Sequence, residues 1–151
     1  MIAVALALVA VALSGWALFR TMSGSAGSAP TYSDSQRSDA KAKVCGAFDL
    51  VRRGVSRNTN VAVPGGPEDV TGTLAVAANA RISLYDGGQY LLARLDPATP
   101  TELGNAVRGF ANTLMDIGAA ATAGALDNDP DQVARLRSAD EGNVKIGQLC
   151  A

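Results

Sequence analysis

The first twenty residues constrain this chain more than any other stretch of it. Nineteen residues pass without a charged side chain before Arg20 ends the run. As an α-helix that rises about 1.5 Å per residue, the run is about 28 Å long, close to the ~30 Å hydrocarbon core of a bilayer. The sequence therefore predicts a single transmembrane helix over residues 1–20.

A cleavable signal peptide is the alternative for this segment. Signal peptides combine a basic start, an apolar stretch of about 7–15 residues and a small-residue cleavage site. Ser23, Gly24 and Ser25 would serve as such a site. The apolar run is longer than that and no Lys or Arg precedes it, which favours a retained anchor and suggests that further residues precede Met1.

Two observations bear on the orientation of this helix, and they disagree. Arg20 is a single positive charge at the end of the helix and favours a cytoplasmic C-terminus. The two cysteines, Cys45 and Cys150, favour an oxidising compartment if they pair. We expect the second arrangement: a single-pass protein of the inner (cytoplasmic) membrane with its C-terminal domain on the extracytoplasmic, periplasmic side.

Small residues recur along one side of the predicted membrane helix at 4-3-4-3 spacing. In lipid such a stripe lets helix backbones approach closely, so it favours docking on the transmembrane helices of a larger envelope complex. The alternative is an alanine-rich composition, since Ala5 and Ala12 lie off the stripe. The stripe comprises Ala3, Ala7, Ala10, Ser14 and Ala17 with Gly15 beside it, and the expected interfacial anchors are Trp16, Phe19 and Arg20.

Behind the predicted anchor, the composition changes twice. Residues 21–32 are dominated by Gly, Ser, Ala and Pro and predict a short flexible linker. Residues 33–151 predict four amphipathic helices, which with short connections form an up-down four-helix bundle. The predicted fold is therefore all-α throughout.

Each of the four helices has a start signal and an apolar stripe. The start signals are Ser33 with Gln36 as a capping box, Pro67, Thr99-Pro100 with Glu102, and Asp129-Pro130. The predicted stripes are Val44, Phe48, Val51 and Val55; Val70, Leu74, Ala77, Leu84, Gly88, Leu91 and Leu95; Leu103, Val107, Phe110, Leu114, Ile117 and Ala121; and Val133, Leu136, Ala139, Ile146 and Cys150. Gly87 and Gly88 predict a bend or a close approach by a neighbouring helix.

The cysteines are too far apart in sequence for a redox or zinc motif, which leaves a disulfide or two buried thiols. In an up-down bundle the end of the fourth helix lies beside the beginning of the first. A Cys45–Cys150 disulfide is therefore expected, closing a loop of about 100 residues worth ~4–5 kcal/mol in the chain-entropy model. It requires the first turns of helix one to project beyond helix four.

The composition excludes several classes of function. The chain has no histidine, the commonest general base and metal ligand, and its net charge of −1 disfavours nucleic acid as a partner. Asp127, Asp129 and Asp131 alternate like a calcium loop, but Gln132 replaces the required Gly, so a capped turn is the better interpretation. No catalytic, cofactor-binding or metal-binding residues are predicted.

Four residues of the second helix are candidates for a possible polar pocket. They are Arg81, Tyr85, Asp86 and Tyr90. Their helical spacing is also that of packing residues, and the Arg81 stem can pack on apolar neighbours while its guanidinium reaches solvent or a carboxylate. Both interpretations remain open from the sequence.

Two stretches of the chain, together with the terminal Cys, resemble the small alanine- and proline-rich single-pass membrane proteins of mycobacteria. The stretches are AKAKVCGAFDLVRRGVS and AVAANARISLYDGGQYLLARLDPATPTEL. The resemblance covers Asp39 to Cys150. It implies a cell-envelope setting with the C-terminal domain outside the inner membrane, and no catalytic residue.

These observations lead us to expect a non-catalytic accessory or scaffold subunit of a mycobacterial cell-envelope membrane complex. The expected partners are transmembrane helices and membrane lipid, in a lipid-transport assembly of the Mce type or, second, a respiratory supercomplex. The alternative is a membrane-tethered helical module that binds a lipid or other apolar ligand between helices two and three. An enzyme is the third hypothesis, because residues for acid–base or nucleophilic chemistry are scattered.

Overall fold

The computed structural model describes residues 30–151. Ser33–Ala151 form one compact unit, and Met1–Tyr32 are assigned to another. Among the described helices, none combines the length and the apolar character needed to cross a bilayer. The predicted membrane helix lies outside the described residues, with its stripe of Ala3, Ala7, Ala10, Ser14, Gly15 and Ala17 and its anchors Trp16, Phe19 and Arg20.

Four α-helices and no strand make up the described part of the chain: α1 (Asp34–Thr59), α2 (Val70–Arg94), α3 (Thr101–Thr122) and α4 (Pro130–Cys150). Each helix packs beside the next, and α4 returns to α1. Neighbouring helices are antiparallel, as the pairs Gly88–Ala111 and Gly118–Arg81 show for α2 and α3. The predicted all-α helical bundle is confirmed.

Helix α1 begins where the sequence predicted. The Ser33 hydroxyl accepts from the Gln36 N–H at 3.2 Å, and the Gln36 side chain accepts from the Ser33 N–H at 2.8 Å. This reciprocal capping box satisfies two backbone donors that the helix itself leaves unpaired. Of its predicted apolar residues, Val44, Phe48 and Val51 are buried and Val55 is half-buried.

Helix α3 contributes more buried core residues than any other described helix. Five of its six predicted apolar residues are buried, and Ala121 is half-buried. The buried five are Leu103, Val107, Phe110, Leu114 and Ile117. The Phe48 and Phe110 rings meet edge to face with their centroids 5.7 Å apart, which joins α1 to α3 across the core.

The Cys45–Cys150 disulfide is present, with the two Cα atoms 5.7 Å apart, and the prediction is confirmed. The Lys41 ammonium group donates to the Ala151 carbonyl oxygen at 3.4 Å, so the chain end lies about one turn before Cys45 on α1. Residues 33–39 of α1 are exposed and project past this point.

Two predicted helix starts need correction. α2 begins at Val70 and not at Pro67, because the Asp69 carboxylate caps it by accepting from the Gly72 N–H at 2.9 Å. In α3, Pro100 occupies the capping position, so Thr99 lies one residue too early and its hydroxyl is buried without a partner. α4 begins at Pro130 after Asp129, as predicted, although the Asp129 carboxylate accepts from the Leu126 N–H rather than from the helix.

Two predicted apolar stripes also differ from the structure. In α2 only Leu84, Gly88 and Leu91 are buried, whereas Val70 and Leu74 are exposed. In α4 the buried residues are Ile146 and the polar Gln132, while Val133 and Leu136 are exposed. The first difference creates the surface described next.

Candidate functional site

The first half of α2 carries an exposed apolar surface, which we call the α2 face: Val70, Leu74, Ala78, Ile82 and Tyr85. The exposed fractions of its four large residues are 70% for Val70, 64% for Leu74, 55% for Ile82 and 52% for Tyr85. Their 4-4-4-3 spacing places all five on one side of the helix over about 22 Å.

The first part of the α2 face, at Val70 and Leu74, is exposed because α2 extends beyond its neighbours. Gly87 lies against Val51 and Val55 of α1, and Gly118 of α3 lies against Arg81 and Leu84. With the helices antiparallel, the last residues of α1 and α3 fall opposite the third turn of α2. The first two turns of α2 therefore project past both neighbouring helices.

A tight turn fixes the start of this projecting helix. Gly66 has a φ of +78°, a conformation that glycine adopts at little cost. A Cβ at Gly65 would lie 2.6 Å from Asp69 Oδ2, so a larger residue would collide with the side chain that caps α2. The loop thus holds the capping carboxylate, and the cap sets where the α2 face begins.

The α2 face is almost free of charge. Between Val70 and Tyr85 the only charged residue is Arg81, which is half-buried and forms no ion pair among the described residues. The cores of protein–protein interfaces are similarly depleted in charge and enriched in aromatic residues such as tyrosine. Exposed apolar residues arranged contiguously on one helix are suited to docking rather than to chemistry.

The four residues predicted for a polar pocket lie at different places on α2. Tyr85 belongs to the α2 face, and Asp86 beside it is exposed. Tyr90 packs against the core, and its ring lies 4.7 Å from the Arg94 guanidinium carbon, a cation–π contact. None of the four lines the grooves described below, and the pocket stays a prediction.

The ligand site of the alternative hypothesis, between the second and third helices, falls in a closely packed region. A Cβ placed on Gly88 would lie 2.6 Å from the Ala111 carbonyl oxygen, so the two backbones approach as the Gly87-Gly88 pair predicted. Leu84, Leu91 and Leu114 fill the interface on either side.

The acidic turn before α4 has a structural role. Asp129 accepts from the Leu126 N–H at 2.8 Å and so closes the turn. No group of three or more potential metal ligands occurs between residues 30 and 151. The capped-turn interpretation agrees with this hydrogen bond.

Open grooves lie along the sides of α4. One, about 610 Å³, runs between α4 and the start of α3, where Lys145 pairs with Glu102 at 3.3 Å. It is lined by two further carboxylates, Asp140 and Glu141. These charged side chains are exposed, and Glu102 is already paired with Lys145. The groove therefore offers few fixed polar groups that could orient a ligand.

The sequence prediction missed the α2 face because it assigned Val70 and Leu74 to the core. One signal was available: Ile82 does not fall on the stripe that contains Leu84, Gly88 and Leu91. Two apolar sides on one helix indicate that one of them is available to a partner.

No known protein family, curated protein or solved structure matches the chain.

Proposed function

We propose that the chain is a non-catalytic accessory or scaffold subunit of a cell-envelope membrane complex, and that the α2 face docks on a protein of that complex. The observation that carries the proposal is the run of four large exposed apolar side chains on one side of α2, from Val70 to Tyr85. Removing such a surface from water stabilises an association by about 25 cal/mol per Å² before the costs of binding.

A protein fits the α2 face better than a lipid surface does. Helices that lie on membranes place Lys and Arg beside their apolar side, where they meet anionic headgroups. The first half of α2 has no Lys and only the half-buried Arg81. The Tyr85 ring is the kind of side chain that carries a large share of binding energy in protein interfaces.

The position of the α2 face along the bundle also suits a scaffold. The preceding segment joins the bundle at Ser33, and α1 then runs 26 residues, about 39 Å, to the end where the α2 face projects. Attachment and docking thus use opposite ends of the bundle. A subunit built in this way can link two components of an assembly.

The resemblance suggests which assembly to examine. A lipid-importing transporter of the Mce type comes first and a respiratory supercomplex second. Both assignments rest on the type of cell that the resemblance implies, and the α2 face does not distinguish them.

The test is affinity capture of the full chain from native membranes in mild detergent, with quantification of co-purified proteins. Leu74→Gln combined with Ile82→Gln removes apolar area while keeping good helix-forming residues. We expect this double variant to lose at least tenfold of one stoichiometric partner, since central interface residues each contribute about 2 kcal/mol or more.

Leu50→Gln is the matched control, because Leu50 is 52% exposed on α1 and lies off the α2 face. It is expected to retain the partner. Recovery of the chain alone from wild-type membranes, or equal loss with Leu50→Gln, would contradict the proposal.

A further inference from the structure

Helices α1 and α4 contact each other least among neighbouring helices, and two grooves open along the seam between them. One, about 350 Å³, lies at the disulfide end and is lined by Phe48, Gly147 and Cys150 among others. The other, about 360 Å³, lies farther along α1. Arg52 and Asn143 line both, so the two grooves meet at these residues.

The second groove has a concentrated positive charge. It is lined by Arg52, Arg53, Ser56, Arg57 and Asn143, with no acidic residue. Arg53 and Arg57 form no ion pair among residues 30–151, and Arg52 pairs only with Asp49, at 3.3 Å. The whole chain has a net charge of −1, so three arginines within six residues stand out from their surroundings.

The ordinary role of such arginines explains only part of this cluster. Arg57 is in the last turn of α1, where a positive charge complements the helix dipole. Arg52 and Arg53 lie more than one turn earlier, beyond the reach of that effect. Since Arg53 and Arg57 are four residues apart, they project from the same side of the helix into one groove.

Asn143 supplies a second, independent feature. Its Oδ1 atom is buried and accepts no hydrogen bond from the described residues. A buried amide oxygen without a partner is uncommon in folded proteins. Asn143 lines the groove together with Arg53 and Arg57, and its Nδ2 group is the part of the amide that can donate to a ligand there.

The geometry points to a binding site for a phosphate ester that also carries hydroxyl groups, held in the α1–α4 seam between Arg52, Arg53, Arg57 and Asn143. Guanidinium groups bind phosphate oxygens in paired hydrogen bonds, and Asn143 binds the hydroxyl groups. This site is separate from the α2 face and does not depend on the proposed function.

Two observations favour a phosphate ester over an acidic peptide. Three guanidinium groups match the charge and oxygens of a phosphate better than those of a single carboxylate. From Arg52 to Arg57 the groove follows α1 for about 8 Å, the length of two to three residues of extended peptide. The hydroxylated phosphate can belong to a soluble metabolite or to a lipid headgroup, and both present the same chemistry.

The experiment is calorimetric titration of the full chain, in neutral detergent with the disulfide intact. The probes are glycerol 3-phosphate, inorganic phosphate, and the short-chain lipids dihexanoyl phosphatidylglycerol and dihexanoyl phosphatidylcholine. We expect glycerol 3-phosphate or the phosphatidylglycerol to bind at least tenfold more tightly than inorganic phosphate. Preference for the phosphatidylglycerol assigns a lipid headgroup, and preference for glycerol 3-phosphate assigns a soluble ester.

Arg53→Gln combined with Arg57→Gln is expected to weaken that binding at least tenfold. Arg37→Gln combined with Arg137→Gln changes the net charge equally at exposed positions away from the seam, and it is expected to leave binding unchanged. Asn143→Leu is expected to reduce the affinity for the hydroxylated ester to that for inorganic phosphate. Circular dichroism of each variant verifies that the helices are intact.

Three results would overturn the inference. The first is no binding of any probe at millimolar concentration. The second is an equal loss of affinity in the Arg37 and Arg137 double variant, which would assign the binding to net charge. The third is tighter binding of a tetraglutamate peptide than of glycerol 3-phosphate, which would assign the groove to acidic peptides.

Discussion

The α2–α3 interface and the α1–α4 seam close the same bundle by different means. At Gly88 the backbones of α2 and α3 approach so closely that a Cβ would lie 2.6 Å from the Ala111 carbonyl oxygen. At Gly147, in the seam, no atom lies within 4 Å of such a Cβ. The first interface is held by packing, whereas the second is held chiefly by the Cys45–Cys150 disulfide.

The difference extends to how each helix is attached. α3 buries eight residues, whereas α4 buries two, Gln132 and Ile146. Besides the packing of Ile146 and the exposed Lys145–Glu102 ion pair, α4 is attached by the disulfide near its end and, near its start, by a hydrogen bond from Gln132 Nε2 to the Ile117 carbonyl oxygen at 3.3 Å. A helix with little apolar burial needs such links to stay in place.

The largest expected effect comes from removing the disulfide. Replacing Cys45 and Cys150 by Ala opens a loop with a sequence separation of 105 residues. We expect the free energy of unfolding to fall by about 4–5 kcal/mol, as the chain-entropy model gives for a loop of this length. Urea unfolding monitored by circular dichroism measures it, and a loss under about 1 kcal/mol would mean that packing alone holds the seam.

Gly88→Ala is expected to cost about 1–3 kcal/mol, because the new methyl group collides with a backbone oxygen that cannot move independently. Gly109→Ala on α3 is the matched control. Its site is open, so alanine should stabilise the helix by about 0.5–1 kcal/mol. The unfolding midpoints of the two variants should shift in opposite directions. A shift in the same direction would show that α2 and α3 are not closely packed.

Gln132→Ala is expected to cost about 1–2 kcal/mol, because it removes the hydrogen bond to Ile117 and leaves unfilled space under the start of α4. Gln132→Met retains the volume without the hydrogen bond and should cost less. If both variants match the wild type in urea unfolding, then Gln132 does not attach α4.

Gly147→Ala has the smallest expected effect and the opposite sign to Gly88→Ala. Alanine lowers the backbone entropy of the unfolded chain and meets no neighbour in the seam, so it should stabilise the protein by about 0.5–1 kcal/mol. A lower unfolding midpoint for this variant would mean that the seam is closed in solution.

Local sequence patterns predicted the parts of the fold that local forces decide. The Ser33–Gln36 capping box depends on residues three apart, and the apolar side of α3 depends on helical periodicity. Both are present as predicted. The disulfide was also predictable, because only two cysteines exist and an up-down topology brings them together.

Features that depend on how helices are offset or rotated were not predictable. Val70 and Leu74 have the spacing of core residues, but α2 extends past its neighbours, and the sequence does not encode that offset locally. Val133 and Leu136 likewise have helical spacing, but α4 turns Gln132 and Ile146 to the core instead. The arginines of the phosphate site, in contrast, stand together in the sequence as RRGVSR.

The central claim is that packing holds α2 to α3 while the disulfide holds α4 to α1. Hydrogen exchange of the full chain, with and without reduction of the disulfide under native conditions, tests it most directly. We predict that reduction speeds exchange at least tenfold in α4 and the second half of α1, and leaves the amides around Gly88 and Ala111 protected. Equal loss of protection in all four helices would contradict the claim.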